Sequence, residues 1–336
     1  MEKNIGNNIN NMKKNINNIG NNMENNIRNP VVKDKFYEAE KDKLVSQIKE
    51  CFLSKFGPKE LPKKNNLYNI SSTKNVISSI VPHAGYTCSG MCAAFVYLEL
   101  SNRIKSTSES RENTVIIIGT DHTGHGSGIS MMDWKTPLGI VKVDKEFCKT
   151  LIEDPNSGLI INEVSHTNEH SIEVQLPFLQ YIYNHIHGQD FKIVPIVISN
   201  EINYEKVAND IFKIVSKNLE QKNFTIIVSG DFVHYGPAYE YVPFGECINE
   251  KNKEIITKIQ KLDNKAINFI LNNDSKGFTE FLNKTNATIC GRFGFNMLIK
   301  LNKLFKLKGK LLKYETSGNV FKDYSNSVSY ASILFE

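Results

Sequence analysis

The stretch TVIIIGTDHTGHG, residues 114–126, joins a short run of β-branched apolar residues directly to a turn rich in glycine and histidine. Apolar residues on consecutive positions are typical of a strand that is buried on both faces, as in a parallel sheet. Apolar stripes with helical spacing lie between such runs, as at 207–215. This alternation predicts an α/β fold with a largely parallel central sheet covered by helices. The other runs of this kind are 76–81, 193–198 and 224–228.

The composition is that of a globular protein. The chain has 336 residues, of which 40% are hydrophobic and 23% are charged, and this length allows one large domain or two small ones. The net charge of +5 is spread along the chain without a basic stripe, so we expect no nucleic-acid partner. No apolar run approaches the ~18 residues of a membrane helix, so we expect no membrane insertion. Six scattered cysteines and the lack of a signal-like segment predict a cytoplasmic location.

The N-terminal segment is dominated by asparagine, which supplies thirteen of the first thirty residues. A segment of this composition cannot bury enough apolar surface to offset the entropy lost on ordering. We therefore predict that residues 1–27 form a disordered Asn-rich tail and that the folded domain occupies residues 28–336.

Three of the predicted strands end in the same kind of turn. His83, His122 and His234 each follow an apolar run, within a few residues and beside at least one glycine. Because ligands of open α/β sheets bind at the carboxyl ends of the strands, we expect these histidines to converge on one rim. Neutral imidazole is a common ligand of iron, copper and zinc. The residues by themselves do not say which histidines bind.

The segment EHSIE, residues 169–173, carries two carboxylates and a histidine. With helical spacing, His170 and Glu173 would share one face. The segment is then either the start of a solvent-exposed helix or a source of carboxylates that orient histidines over a metal or substrate. Cys290, taken alone, has the pattern of a buried structural cysteine. The glycine-rich nucleotide loops and the Gly-x-Ser-x-Gly motif of hydrolases are absent from the sequence.

Five blocks follow one another along the chain: PHAGY at 82–86, His122, EHSIE with Leu176-Pro177, SGDF at 229–232 with His234, and TICGR at 288–292. In this order they resemble the Memo family, which is named for an animal mediator of cell motility. The resemblance runs from about Arg28 to the C-terminus. Memo proteins are similar to the class III extradiol dioxygenases, which use non-haem iron, and the resemblance implies their single-domain α/β fold.

The resemblance implies a metal site formed by His83, His122 and Cys290. Asp231 and His234 match the polar residues that face this site, and His234 resembles the acid–base histidine of the dioxygenases. If the protein is an oxidoreductase, we expect His234 to transfer protons and Asp231 to fix its tautomer. The implied ion is iron(II) or copper, because a thiolate is softer than the carboxylate of the dioxygenases, and zinc would also fit. Asp121 stands where the family has a small polar residue, so it is expected either to add charge to the site or to act as a spare ligand. The residues expected around the ligands and the substrate are Asp121, Tyr86, His170, Glu173 and Arg292.

Three functions remain open at this point. The first is a metal-dependent oxidoreductase with dioxygenase-like chemistry on an unidentified small molecule. The second is an adaptor for phosphotyrosine-type peptides, because animal Memo proteins are associated with that role in motility signalling. The third is a copper- or iron-binding protein without turnover. The sequence sets no oligomeric state, and the three functions share one set of candidate residues.

Overall fold

The computed structural model describes residues 26–64, 76–104, 111–247 and 253–336. Residues 1–25 of the predicted tail lie outside the described residues. Ile27 already belongs to the first strand, where it pairs in parallel with Asp133. The described structure therefore begins two residues before the expected start of the domain.

One mixed sheet runs through the described part of the chain and contains eleven strands. The long strands are almost wholly buried, as the apolar runs predict. In chain order they are β1 (Ile27–Arg28), β2 (Val76–Val81), β3 (Glu112–Thr120), β4 (Gly128–Ile129), β5 (Asp133–Thr136), β6 (Gly139–Val143), β7 (Lys192–Ile198), β8 (Lys222–Ser229), β9 (His234–Tyr235), β10 (Gly309–Thr316) and β11 (Ser327–Phe335).

The spatial order of the main strands is β1-β5-β6-β7-β3-β8-β2-β11-β10. The central strands from β6 to β2 pair in parallel. Antiparallel pairs join β11 to β2, β10 to β11, and β5 to β6. The short strands β4 and β9 pair with β7 and β11. The expectation of a largely parallel sheet within an α/β fold is confirmed.

Helices cover this sheet. The helix Arg292–Phe305 packs on β2, β3 and β8, and the helix Met91–Arg103 packs on β2, β10 and β11. No helix within the described ranges is long and apolar enough to cross a membrane. The α-helices are α1 (Lys41–Leu53), α2 (Met91–Arg103), α3 (Lys145–Leu151), α4 (Glu163–Thr167), α5 (Leu176–Gln180), α6 (Tyr204–Asn218), α7 (Lys253–Leu271), α8 (Ser275–Thr285), α9 (Arg292–Phe305) and α10 (Ser317–Phe321).

The topology brings three strand ends together. Strands β2, β8 and β3 are neighbours and run in parallel, so their carboxyl ends meet at one edge of the sheet. His83, Asp231 and His122 each lie two residues beyond the last residue of their strand. The central isoleucines of β3, residues 116–118, are completely buried, and each such side chain contributes roughly 1.5–3 kcal/mol to folding. The site is thus built on the most buried part of the sheet.

Candidate metal centre

His83, His122 and Cys290 come together at this edge. Their ligand atoms all lie within 4.8 Å of one another. The Nε2 atom of His83 is 3.2 Å from the Sγ atom of Cys290, and the two imidazole centroids are 5.0 Å apart. Tetrahedral sites with bonds of ~2.0–2.3 Å place ligand atoms roughly 3.3–3.8 Å apart. A small contraction of this cluster would therefore fit one ion.

Cys290 reaches the sheet edge because two glycines face each other. It lies between α8 and α9, where Ile289 forms a β-bridge with Val233. A Cβ atom placed on Gly230 would lie 2.6 Å from the Cα atom of Gly291. Real Cβ atoms do not approach backbone this closely, so any larger residue would push the two loops apart. The close approach explains why glycine is needed beside the cysteine.

The tautomer of His83 is set by Ser229. The Ser229 hydroxyl donates to the carbonyl of Ser171 at 2.5 Å and accepts from the Gln175 amide at 2.8 Å. It therefore accepts, at 3.3 Å, the proton on Nδ1 of His83, which leaves the Nε2 lone pair facing Cys290. Burial and the neighbouring imidazoles hold the pKa of His83 well below its usual value. The ring is neutral, as a metal ligand must be.

The tautomer of His122 is set by Glu169, a completely buried carboxylate. Nδ1 of His122 lies 3.0 Å from Oε1 of Glu169, which also accepts from the backbone N–H groups of His170 and Ser171. Burial alone would raise the pKa of Glu169, but the bond to His122 and the nearby imidazoles outweigh burial and lower it to about 2. Glu169 is therefore charged, and the Nε2 atom of His122 is left free.

His122 is also the most open member of the cluster, since 32% of its side chain is exposed. Burial tends to lower the pKa of His122, but hydrogen bonding and attraction to Glu169 raise it. The ring of His170 stacks on that of His122, with centroids 4.8 Å apart, and burial lowers the pKa of His170 to about 4. His170 is thus a neutral residue that lines the site beside His122.

His234 faces the cluster but is not oriented by Asp231, so that expectation is wrong. Its Nδ1 atom lies 3.0 Å from the carbonyl of Phe232 and 3.1 Å from that of Thr288. Two carbonyl acceptors fix the proton on Nδ1 and leave Nε2 with its lone pair. Burial lowers the pKa of His234, so the ring is neutral. Oδ1 of Asp231 instead accepts the backbone N–H of His83 at 2.9 Å.

Asp231, His234 and Cys290 form a second group whose ligand atoms lie within 4.8 Å of one another. Burial raises the pKa of Asp231 to about 7, although the backbone N–H of His83 opposes the rise. Burial and the charge of Asp231 raise the pKa of the Cys290 thiol well above its usual value. Without a metal the site thus holds a protonated thiol beside the Nε2 atom of His83 and the carbonyl of Asp231. A metal ion would take the place of that proton.

The expected helical face of 169–173 is wrong. Glu169 folds back onto the N–H groups of the residues that follow it, and a 3-10 turn begins only at Glu173. Glu173 is completely buried, forms an ion pair with Arg28 and accepts from the Tyr37 hydroxyl at 2.6 Å. The two carboxylates therefore have separate partners, and neither lies on a solvent-exposed helix.

Tyr86 and Asp121 also have structural partners. The hydroxyl of Tyr86 donates to the carbonyl of Val174 at 2.8 Å, and its buried ring packs on Phe178, so Tyr86 belongs to the core. The carboxylate of Asp121 accepts from the backbone N–H groups of residues 123, 124 and 126. It thereby folds the loop that carries His122. Within the described ranges Asp121 belongs to none of the groups that could hold a metal, contrary to its expected role as spare ligand.

Arg292 lies at the exposed rim, with its guanidinium 4.5 Å from the ring centre of Phe293. Two further histidines stay outside the cluster: His166 is buried against Trp134, and His125 is exposed. Ser229 and Gln175 are site residues that the sequence does not predict, whereas Glu169 orients His122, which is one of the two roles expected for the carboxylates of EHSIE. The roles of Ser229 and Gln175 follow only from packing.

Comparison with known proteins agrees with these motifs. The family model described as Memo-like protein matches residues 28–334. A MEMO1 family protein of Sulfurisphaera tokodaii is 39% identical over 314 residues, covering 92% of this chain and 99% of its own. A MEMO1 family protein of Methanocaldococcus jannaschii is 38% identical over 315 residues, with the same coverage of 92% and 99%.

A more distant relative, a MEMO1 family protein of Methanopyrus kandleri, is 34% identical over 314 residues and is covered to 98% of its length. An uncharacterized Escherichia coli K12 protein of known structure has a TM-score of 0.42 at 10% identity, covering 77% of this chain and 98% of that one. At that level the structural comparison says nothing about function. The family model and the archaeal relatives, which extend over nearly the whole domain, show that this chain belongs to the Memo family.

Proposed function

We propose that the chain holds one iron(II) or copper ion on His83, His122 and Cys290 and oxidises a small-molecule substrate there, with dioxygen as the oxidant that accepts the electrons. The observation that carries this proposal is the state of the histidine rings. His83 and His122 both commit their Nδ1 protons to fixed acceptors, so their Nε2 lone pairs are available beside the thiol of Cys290. This preorganisation serves a metal ion better than it serves a purely structural cluster.

The donor set fits the ion. Two neutral imidazoles and a thiolate are soft enough for copper and acceptable to iron(II), and zinc would fit without redox chemistry. When bound, such an ion supplies the electron transfer and polarises the substrate. The protein supplies the orientation of the ligands through Ser229 and Glu169. A thiolate ligand survives best where thiols stay reduced, which supports a cytoplasmic location.

The residues facing the ion would handle protons. His234 has an unprotonated Nε2 atom and is neutral, so it is ready to accept a proton from a bound substrate. Asp231 has a pKa of about 7 and lies in the same group of ligand atoms. A carboxylate there would stabilise the positive charge that His234 acquires. Both roles are properties of this chain and do not depend on the identity of the ion.

A second candidate is the capture of a phosphotyrosine-type peptide at the same rim. The observation that favours it is Arg292, whose exposed guanidinium lies two residues from Cys290. Guanidinium groups bind phosphate through paired hydrogen bonds. Metal binding without turnover is the third candidate, and it shares every residue of the first except the catalytic role of His234.

Metal affinity tests the proposal. Purified protein should bind one ion of iron(II) or copper(I) in competition with a chromophoric chelator under anaerobic conditions. His83→Ala should weaken binding at least ~100-fold, because the loss of a ligand exceeds the 10–100-fold effect of losing an outer partner. His125→Ala is the matched control, since His125 lies in the loop of His122 but is exposed and outside the cluster. Equal affinities for wild type and His83→Ala would contradict the proposal.

A further inference from the structure

Arg28 is a buried arginine whose donors all go to one segment of chain. Its Nε atom donates to the carbonyl of His166 at 3.1 Å, and Nη2 donates to the carbonyl of Glu169 at 2.6 Å. Nη1 forms the ion pair with Glu173, and the guanidinium lies 4.3 Å from the ring centre of Trp134. Three bonds in three directions fix the segment 166–173 to the start of the described chain.

Residues 26–37 around Arg28 will be called the N-terminal strap. The strap holds Glu173 a second time, through the backbone N–H groups of Val31 and Val32 and through the hydroxyl of Tyr37. Glu173 therefore accepts hydrogen bonds from four groups of the strap, counting the guanidinium of Arg28. The contacts of the strap with segment 166–173 will be called the anchor. Breaking the buried ion pair within it would leave an uncompensated charge, which favours keeping all of these contacts together.

The anchor continues into the metal centre through one residue. Arg28 binds the backbone carbonyl of Glu169, and the side chain of Glu169 binds both the backbone N–H and the Nδ1 atom of His122. The position of His122 thus depends on Glu169, and that of Glu169 on the strap. We infer that Arg28 is a positioning residue for the metal centre, acting through Glu169 on His122. The inference rests on the proposed metal binding for one of its two readouts only.

Lysine cannot replace Arg28 in this role. A guanidinium presents five N–H groups in a rigid fork, whereas an ammonium is a point charge on a flexible stem. Arg28→Lys keeps the positive charge beside Glu173 but cannot reach two carbonyls and a carboxylate together. We expect it to lower metal affinity roughly tenfold, at the low end of the range for residues that orient ligands.

The matched control is Arg103→Lys. Arg103 also pairs with two carboxylates, those of Glu99 and Glu336, and donates to a backbone carbonyl, but it lies at the far end of β11 from the metal centre. Metal affinity is measured by chelator competition for wild type and both variants. In parallel, the ¹⁵N-resolved NMR signal of the Nδ1 proton of His122 is recorded in metal-free protein, where metal binding plays no part.

Coupling with Glu169 separates positioning from general stability. If Arg28 acts through Glu169, the double variant Arg28→Lys/Glu169→Gln should bind metal no more weakly than Glu169→Gln alone. The expected set of results is a tenfold loss for Arg28→Lys, no loss for Arg103→Lys and a changed His122 signal. Wild-type affinity together with an unchanged His122 signal in Arg28→Lys would overturn the inference. It would also be overturned if the losses of metal affinity in Arg28→Lys and Glu169→Gln added fully in the double variant.

The two proposals fail in different ways. If wild type binds no metal, the proposed function is wrong, and the His122 signal still decides whether Arg28 positions that ring. If Arg28→Lys does not fold, Glu173→Gln loosens the same anchor with an uncharged side chain of equal shape. The same changes in affinity and in the His122 signal are then expected of it, and their absence would overturn the inference.

Discussion

At His234, the carbonyls of Phe232 and Thr288 orient the ring and fix its tautomer, a role that a carboxylate has in many acid–base pairs. The sequence predicts where this histidine lies, because it follows a buried strand and a glycine. It does not predict the tautomer, since one of the two carbonyls belongs to a residue 54 positions away. Backbone acceptors add no charge, so the ring stays neutral and its Nε2 atom remains a base.

His234→Ala should abolish metal-dependent oxidation while leaving metal content unchanged, because His234 is not one of the three proposed ligands. A positioned acid–base group typically contributes ~10²–10⁴-fold in rate. The measurement is oxygen consumption by metal-loaded wild type and variant, with metal content determined on the same samples. His125→Ala again serves as the control and should retain the wild-type rate.

Equal oxidation rates in wild type and His234→Ala would exclude a catalytic role for His234. The phosphopeptide candidate predicts a different pattern, in which neither protein consumes oxygen and the variant binds a phosphotyrosine peptide more weakly. Metal binding without turnover predicts equal metal content, no oxidation in either protein and no peptide binding. The three candidates are therefore separated by one pair of proteins.

At the scale of elements, the segment 169–173 shows why a helical pattern can mislead. The spacing of its carboxylates suits one helical face, but the side chain of Glu169 competes for the N–H groups that a helix would use. The chain turns there instead, and the helical residues begin after it. The competing bond is also the one that orders Glu169 beside His122, so the failure of the pattern coincides with the site.

Helix α7 carries a completely buried carboxylate, Asp263, which ties the helix to the sheet. It accepts from the backbone N–H of Val233 at 3.1 Å and from the Tyr314 hydroxyl at 2.7 Å. Burial raises the pKa of Asp263 to about 6, although these hydrogen bonds oppose the rise. The folded state therefore binds this proton more tightly than the unfolded state does.

The stability contribution of Asp263 should consequently be full below the unfolded pKa, near 4, and be lost as the pH rises through 6. A shift of about two units corresponds to about 3 kcal/mol. The free energy of unfolding of wild type relative to Asp263→Asn should thus fall by about 3 kcal/mol between about pH 4 and pH 7. Urea denaturation of both proteins at several pH values measures this difference.

Asp144 provides a control, because its contribution to stability should change with pH in the opposite direction. It caps α3 and pairs with Lys222, and its pKa is lowered, because the bonds to Lys222 and to the helix N–H outweigh its burial. The stability of wild type relative to Asp144→Asn should therefore rise with pH through the acidic range. If the free energy of unfolding of wild type relative to Asp263→Asn stayed constant or rose with pH, the account of α7 would be contradicted.

At the scale of the whole molecule, the apolar runs and their histidine-bearing turns predict the parallel sheet and the shared rim. Strand adjacency explains the success, because β2, β8 and β3 are neighbours whose carboxyl ends must meet. The contacts that orient the ligand histidines were not predictable in this way. Arg28 and Glu169 lie 141 positions apart, and no local pattern pairs them. Such contacts arise from packing of distant segments, which periodicity does not encode.

The central claim is that Cys290 and two histidines hold one ion, and the X-ray absorption spectrum of metal-loaded protein tests it most directly. We expect one sulfur neighbour at ~2.3 Å and imidazole nitrogens at ~2.0–2.1 Å from the metal. The sulfur contribution should vanish in Cys290→Ser, which keeps the loop and the two histidines. A wild-type spectrum with nitrogen and oxygen neighbours only, indistinguishable from that of Cys290→Ser, would contradict the account.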